Sequence, residues 1–145
     1  MIPLFILAAA AYASALPTVP GATNPNVTQA NITTTICVSG WTKTIRPPAS
    51  YTDKLKRAQM AALGLPGDPS TYEEDHLISL EIGGNPTDPK NLWPQRWHGD
   101  WNAHQKDAIE TKLKRLVCAG TITLDEAQRE ISTDWVAAYQ KWIVK

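Results

Sequence analysis

Several features that would define a function class are scarce in this 145-residue chain. Its 14 Lys and Arg residues balance 14 Asp and Glu residues, and this zero net charge argues against nucleic-acid binding by overall charge, although a local basic face remains possible. The chain has no Gly-rich phosphate-binding loop and no internal repeat. It contains two cysteines, so one intramolecular disulfide is the most that it can form.

The longest apolar run lies near the N-terminus and covers residues 2–15. It is short for a membrane span, and residues 13–15 have the small-x-small pattern of a cleavage site. We therefore predict a secretory signal peptide over residues 1–15, although the run contains no Lys or Arg; an uncleaved N-terminal anchor is the alternative. Cleavage would leave a secreted or periplasmic protein with no stable membrane association.

The two cysteines, Cys37 and Cys118, are predicted to form one disulfide in that oxidising compartment. Closing so long a loop contributes roughly 4 kcal/mol to stability in the chain-entropy model. Two free buried thiols are the alternative, and a cytosolic location would favour it.

The rest of the chain predicts one small domain preceded by a linker. Residues 16–35 are rich in Pro, Thr and Asn without periodicity, which predicts a disordered linker. β-Branched residues at 34–38 and alternation at 41–45 favour a β-ribbon pinned by Cys37. Helix signals follow in three places: residues 53–63 after Thr52, residues 100–117 with Asp100 as N-cap, and a final helix that opens with Thr123 and Glu126 as a capping box.

The stretch from Tyr72 to Gln95 carries the candidate chemistry. Asp75 precedes His76, and Asn91 follows after Gly-Gly and Asn-Pro turn signals. A carboxylate and an asparagine carbonyl are hard oxygen ligands that can hold Mg²⁺ and leave positions for water and phosphate. An unligated imidazole has a pKa suited to deprotonating water. These parts match phosphodiester hydrolysis, and a core histidine with a capping asparagine is the alternative.

The pattern around these residues resembles the ββα core of HNH, or His-Me finger, nucleases. The matching core is Asp75-His76-Leu77-Ile78, Leu80-Glu81-Ile82-Gly83-Gly84 and Asn91-Leu92, followed by a helix. Pieces outside the core also resemble a family of small exported bacterial HNH-type endonucleases: Ile36-Cys37-Val38, Arg46-Pro47-Pro48, Trp93-Pro94-Gln95, Lys106-Asp107, Val117-Cys118-Ala119-Gly120 and Asp134-Trp135. The resemblance covers roughly residues 35–139. It implies an α+β nuclease domain over residues 36–145, in which a ββα-metal core is extended by the N-terminal β-ribbon and helix and by a C-terminal helix.

By this resemblance, His76 is the general base that activates water, and Asp75 and Asn91 hold a divalent metal, Mg²⁺ or Mn²⁺. A third ligand is expected near the start of the following helix. We predict His104 there, with Asn102 and His98 as alternatives, and two protein ligands can also suffice. The extra cysteine pairs that bind structural zinc in many HNH domains are absent, so no structural zinc is expected.

The resemblance also implies DNA as the substrate, cleaved with little sequence preference because no recognition module is visible. Arg46 and Lys106 flank the site in sequence and are predicted to contact phosphates, although either can be an ordinary surface charge. RNA or another phosphodiester would use the same site. A non-catalytic secreted binding or structural domain is the opposing hypothesis, and a toxin would require an immunity protein as partner.

Overall fold

The computed structural model describes residues 4–144, apart from the side chains of residues 7, 11, 13 and 14. Residues 1–3, where the predicted signal peptide begins, and residue 145 lie outside the described part. The described residues form a mixed α+β fold, which confirms the predicted class. Its helices and strands are α1 (Leu4–Ala15), α2 (Ala49–Leu63), β1 (Tyr72–His76), β2 (Leu92–Arg96), α3 (Ala103–Cys118) and α4 (Leu124–Trp142).

Strands β1 and β2 form a two-stranded antiparallel sheet in which Tyr72 lies opposite Arg96 and His76 lies opposite Leu92. Helix α2 is attached to this sheet by side-chain hydrogen bonds. The Gln59 side-chain amide donates to the carbonyl of Leu92 (2.9 Å). Lys56, one turn earlier, donates to the carbonyl of Tyr72 (2.9 Å). Helix α3 follows β2 in the chain, so the central elements occur in the order strand, strand, helix.

The core lies between α3 and α4. Ile109, Leu113 and Val117 repeat every four residues along α3, as Ile131 and Trp135 do along α4, and all five are completely buried. This spacing places each set on one face of its helix. Burying each such side chain contributes about 1.5–3 kcal/mol, so this packing holds α3 against α4.

Side-chain caps set the starts of α3 and α4. The Thr123 hydroxyl accepts from the Glu126 amide (3.1 Å), so the predicted N-cap of α4 is confirmed. Helix α3 is capped by Asn102, and the predicted cap Asp100 is wrong. Asn102 is favoured because Gln105 reciprocates: its backbone amide donates to the Asn102 side chain (3.1 Å), and its own side chain accepts from the Asn102 amide (2.9 Å).

Helix α2 is longer at its start than the sequence predicts. It begins at Ala49, directly after Pro48, and Thr52 lies inside it. The Thr52 hydroxyl donates to the carbonyl of Ala49 (3.2 Å) and so does not cap the helix. The helix ends at Leu63, and Gly64 terminates it as predicted, with a positive φ of 63° that suits glycine.

The predicted N-terminal β-ribbon is wrong, because residues 34–45 contain the end of one 3-10 helix (Gln29–Thr34), a run of turns and a second 3-10 helix (Trp41–Thr44), and no strand. The Asn31 side chain organises the first of them. Its Oδ1 accepts from the Thr28 amide (2.8 Å), and its Nδ2 donates to the Asn26 carbonyl (2.9 Å). Local side-chain bonds of this kind compete with strand pairing, and β-branched composition alone does not overcome them.

Residues 16–35 have defined contacts with the domain, in contrast to the predicted disordered linker. Thr23 forms an antiparallel bridge with Gly84, in the loop between β1 and β2. Val27 is 6% exposed and belongs to the hydrophobic core. Backbone hydrogen bonds also hold this segment to that loop: the Asn24 amide donates to the Gly83 carbonyl (2.8 Å), and the Asn85 amide donates to the Ala22 carbonyl (2.8 Å).

Helix α1 covers most of the predicted signal peptide, and its end contacts α4. The indole of Trp135 donates to the carbonyl of Ala15 (2.9 Å), and the Tyr12 hydroxyl donates to the carboxylate of Asp134. None of the helices within residues 4–144 combines the length and apolar character needed to cross a membrane.

The predicted disulfide between Cys37 and Cys118 is present, with Cα atoms 5.7 Å apart. It joins the segment after the first 3-10 helix to the last residue of α3, across 81 positions of sequence. The alternative of two free thiols is therefore excluded.

We predict that a Cys37→Ser/Cys118→Ser variant loses about 4 kcal/mol of unfolding free energy, because its unfolded chain regains the freedom that the closed loop removes. Thermal unfolding of the oxidised protein and the variant should differ by roughly 10 °C in Tm. Reducing the wild-type protein with dithiothreitol should reproduce the loss. A loss below about 1 kcal/mol in the variant would contradict the prediction.

Candidate active site

The candidate site lies where β1 ends, at His76. On a regular strand the adjacent side chains of Asp75 and His76 would face opposite sides, but the strand stops here and both line one cavity of about 100 Å³. The cavity is lined by Arg46, Glu73, Asp75, His76, Ser79, Leu80, Glu81, Asp107 and Glu110.

His76 is 7% exposed, and its Nε2 lies 2.9 Å from the carbonyl oxygen of Pro86. A carbonyl only accepts, so Nε2 carries the proton and Nδ1 carries the lone pair of the neutral ring. Nδ1 has no hydrogen-bond partner among residues 4–144. Burial lowers the pKa of His76, and the cations of Arg46 and Lys106 lower it further against the opposing effects of Pro86 and Asp75. The imidazole is therefore held neutral near pH 7, with Nδ1 able to accept a proton.

Asn91 is completely buried and holds the loop between the two strands. Its Oδ1 accepts from the amides of Ile78 (2.9 Å) and Ala22 (3.3 Å), and its Nδ2 donates to the carbonyls of Ile78 (3.0 Å) and Asn85 (2.9 Å). These four bonds use both acceptor positions and both donors of the amide. The structure thus gives Asn91 a scaffold role in place of the metal-binding role predicted from sequence.

Two glycines shape the same loop. Gly83 has a positive φ of 80°, which favours glycine. A Cβ on Gly84 would lie 1.6 Å from the carbonyl oxygen of Ile78, so only glycine allows the chain to pass there. The Gly-Gly signal in the sequence therefore corresponds to a close backbone approach directly beside the Asn91 side chain.

The predicted third metal ligand does not join Asp75. His104 is exposed, its ring centroid lies 5.3 Å from that of Trp97 and 6.1 Å from that of His98, and it does not line the cavity. The two alternative ligands do not line the cavity either: His98 is exposed beside His104, and the Asn102 side chain caps α3.

Lys106 is completely buried, so the phosphate contact predicted for it is not compatible with its position. Its Nζ donates to the His76 carbonyl (2.9 Å) and to Glu110 Oε1 (2.6 Å), and it forms an ion pair with Asp75 Oδ2 (2.7 Å). These contacts use all three ammonium donors. Burial lowers the pKa of Lys106, but the carboxylates of Asp75 and Glu110 raise it by more, so the ammonium stays charged.

Four carboxylates that sequence reasoning did not assign to the site share the cavity with Asp75: Glu73, Glu81, Asp107 and Glu110. The spacing gave a signal for three of them. Glu73 is two positions before Asp75, on the same face of β1, and Asp107 and Glu110 are three positions apart on α3. Burial, with repulsion from Asp75, raises the pKa of Glu73 to about 8.

The oxygen-rich cavity fits a hard divalent cation that takes few protein ligands. Asp75 Oδ2 is engaged by Lys106 and by the indole of Trp93 (3.2 Å), while Oδ1 has no hydrogen bond within the described part of the chain. Glu73 Oε2 is buried there without a partner. Mg²⁺ commonly takes one or two carboxylates together with water and phosphate. No group of three or more His, Cys, Asp and Glu side chains between residues 4 and 144 could enclose an ion.

A larger groove of about 340 Å³ adjoins this cavity and shares Arg46, Glu73 and His76 with it. Its other walls include residues of α2 and the partly exposed Trp97. Arg46 is exposed, so it remains available to a phosphate as predicted. Another cavity, of about 480 Å³, lies along α4 and contains none of the predicted site residues.

We predict that Asn91→Ala lowers the free energy of unfolding by about 3 kcal/mol, because it leaves the buried amide and carbonyl of Ile78 unpaired. Denaturant unfolding measures this change. Asn26→Ala is the matched control: Asn26 is exposed, and this variant should change stability by less than about 0.5 kcal/mol. Equal stabilities of the two variants would contradict the scaffold role of Asn91.

The chain matches no protein-family model, and comparisons with curated proteins and with solved structures also found no significant match.

Proposed function

We propose that this chain is an exported, metal-dependent endonuclease that hydrolyses DNA phosphodiester bonds with little sequence preference. The observation that carries the proposal is the placement of His76. Its Nε2 lies 2.9 Å from the Pro86 carbonyl oxygen, its side chain lies between an acidic cavity and a groove bordered by Arg46, and burial lowers its pKa.

In this proposal, His76 acts as the general base. Nδ1 takes a proton from the attacking water, and the Pro86 carbonyl stabilises the resulting imidazolium through the Nε2 proton. A Mg²⁺ or Mn²⁺ ion held by Asp75, with Glu73 or Asp107, would stabilise negative charge on the phosphoryl and leaving oxygens.

The groove beside His76 is the proposed path of the substrate. Arg46 belongs to both the groove and the cavity, so its guanidinium can bind a phosphate next to the reacting one. Trp97 lines the groove, where an aromatic ring can stack on a base. Export is supported by the disulfide between Cys37 and Cys118, because such bonds persist in oxidising compartments.

A non-catalytic binding domain is the second candidate, and one observation favours it. His76 is 7% exposed and hydrogen-bonded, as expected of a structural histidine. The two candidates differ in what a substitution of His76 does. In a binding domain the substitution lowers stability, and there is no hydrolytic activity to lose. In the nuclease the variant stays folded and loses its hydrolytic activity.

We predict that the oxidised, exported protein nicks plasmid DNA with Mg²⁺ or Mn²⁺ and not with EDTA. His76→Ala should reduce the rate by about 100-fold or more, because a general base contributes that much. His104→Ala is the matched control and should keep the rate, since His104 is exposed away from the cavity.

Circular dichroism melting shows whether each histidine variant is folded. Parallel assays on RNA separate the two nucleic-acid substrates. Cleavage that persists in EDTA or in the folded His76→Ala variant would contradict the proposal. The absence of cleavage of DNA and RNA with either metal would favour the binding domain.

A further inference from the structure

The Lys106 ammonium connects α3 to the two residues at the end of β1. It binds the carboxylate of Asp75 (2.7 Å) and the backbone carbonyl of His76 (2.9 Å). One contact therefore holds the side chain of Asp75, and the other holds the backbone from which the imidazole projects. Glu110, one turn further along α3, binds the same ammonium (2.6 Å) and restricts its position.

Lys106 also offsets the charge of the cavity. Five carboxylates line the cavity, and the cation on its rim, Arg46, is exposed to solvent. Lys106 is completely buried and pairs directly with Asp75. Opposite charges attract strongly at such a distance when both are shielded from water. Without the ammonium, the buried carboxylate of Asp75 would lose its ion pair and the contact that fixes the position of Oδ2.

A direct role in substrate binding is excluded by the same contacts. A side chain with 0% exposure and three engaged donors has no hydrogen left for a phosphate. We propose that Lys106 is a positioning residue, which holds Asp75 and His76 in their working geometry from α3. The inference rests on the proposed nuclease function for its kinetic consequence, and its structural consequence can be tested without activity.

The kinetic test compares Lys106→Met with Arg46→Ala in steady-state cleavage of a short DNA duplex. Misplacing a catalytic group by about 1 Å can cost about 100-fold in rate, so Lys106→Met should lower kcat by about that factor with KM within about twofold. Arg46→Ala should instead raise KM and lower the salt slope of DNA binding by about one, as expected for the loss of a phosphate contact. Lys112→Met, on the same helix, should change neither parameter.

The structural test uses NMR of the histidine ring. In the wild-type protein the Nε2 proton of His76 is protected by Pro86, and in Lys106→Met it should exchange with solvent at least tenfold faster. Lys106→Arg keeps the cation and should restore part of the protection and of kcat. If Lys106→Met does not fold, Glu110→Ala is used instead, because it removes the Glu110 contact of the ammonium. It should lower kcat and speed exchange of the His76 proton by smaller factors.

The outcomes separate the two proposals. Raised KM, a lower salt slope and an unchanged kcat in Lys106→Met would identify a phosphate contact and overturn the positioning role. Unchanged kcat and unchanged protection of His76 would overturn it as well. If the wild-type protein has no activity, the nuclease proposal is refuted. The positioning role is still supported in that case if the His76 proton is protected in the wild-type protein and not in Lys106→Met.

Discussion

The geometry of the site depends on one buried ammonium, that of Lys106. Moving an ion out of water costs several kcal/mol, and this cost is offset only where good partners converge on it. Three oxygens from two elements meet the Lys106 Nζ within 2.9 Å. Helix α3 therefore cannot shift along the sheet without leaving a buried charge unpaired. The hydrophobic contact between α3 and α4 places the helix, and this polar contact fixes its register against β1.

A second constraint comes from the N-terminal segment. Ala22 donates its amide to Asn91, and Thr23 pairs with Gly84, so residues 16–35 support the loop that follows His76. That loop also supplies the Pro86 carbonyl that orients the imidazole. Residues 16–35, whose composition is that of a linker, thus help to position His76, the candidate base.

The features that sequence predicted well were local or involved few possible partners. Thr123 as a cap needs only its own helix, and two cysteines allow one pairing. The ribbon was mispredicted because β-branched composition reports a weak preference, whereas Asn31 makes specific local bonds. The roles of Asn91 and Lys106 could not be read from sequence, since an amide or ammonium looks the same whether its partners are backbone groups or a substrate. Only their burial and their contacts distinguish these cases.

The disulfide has a consequence for where the chain reaches its full stability. Cys118 is the last residue of α3, the helix that carries Lys106, and its bond to Cys37 restrains the end of that helix. Cysteine thiols are kept reduced in the cytosol, and disulfides form in oxidising compartments. In the proposed exported nuclease, this last covalent restraint would therefore form only after export, away from the DNA of the cell that makes the protein.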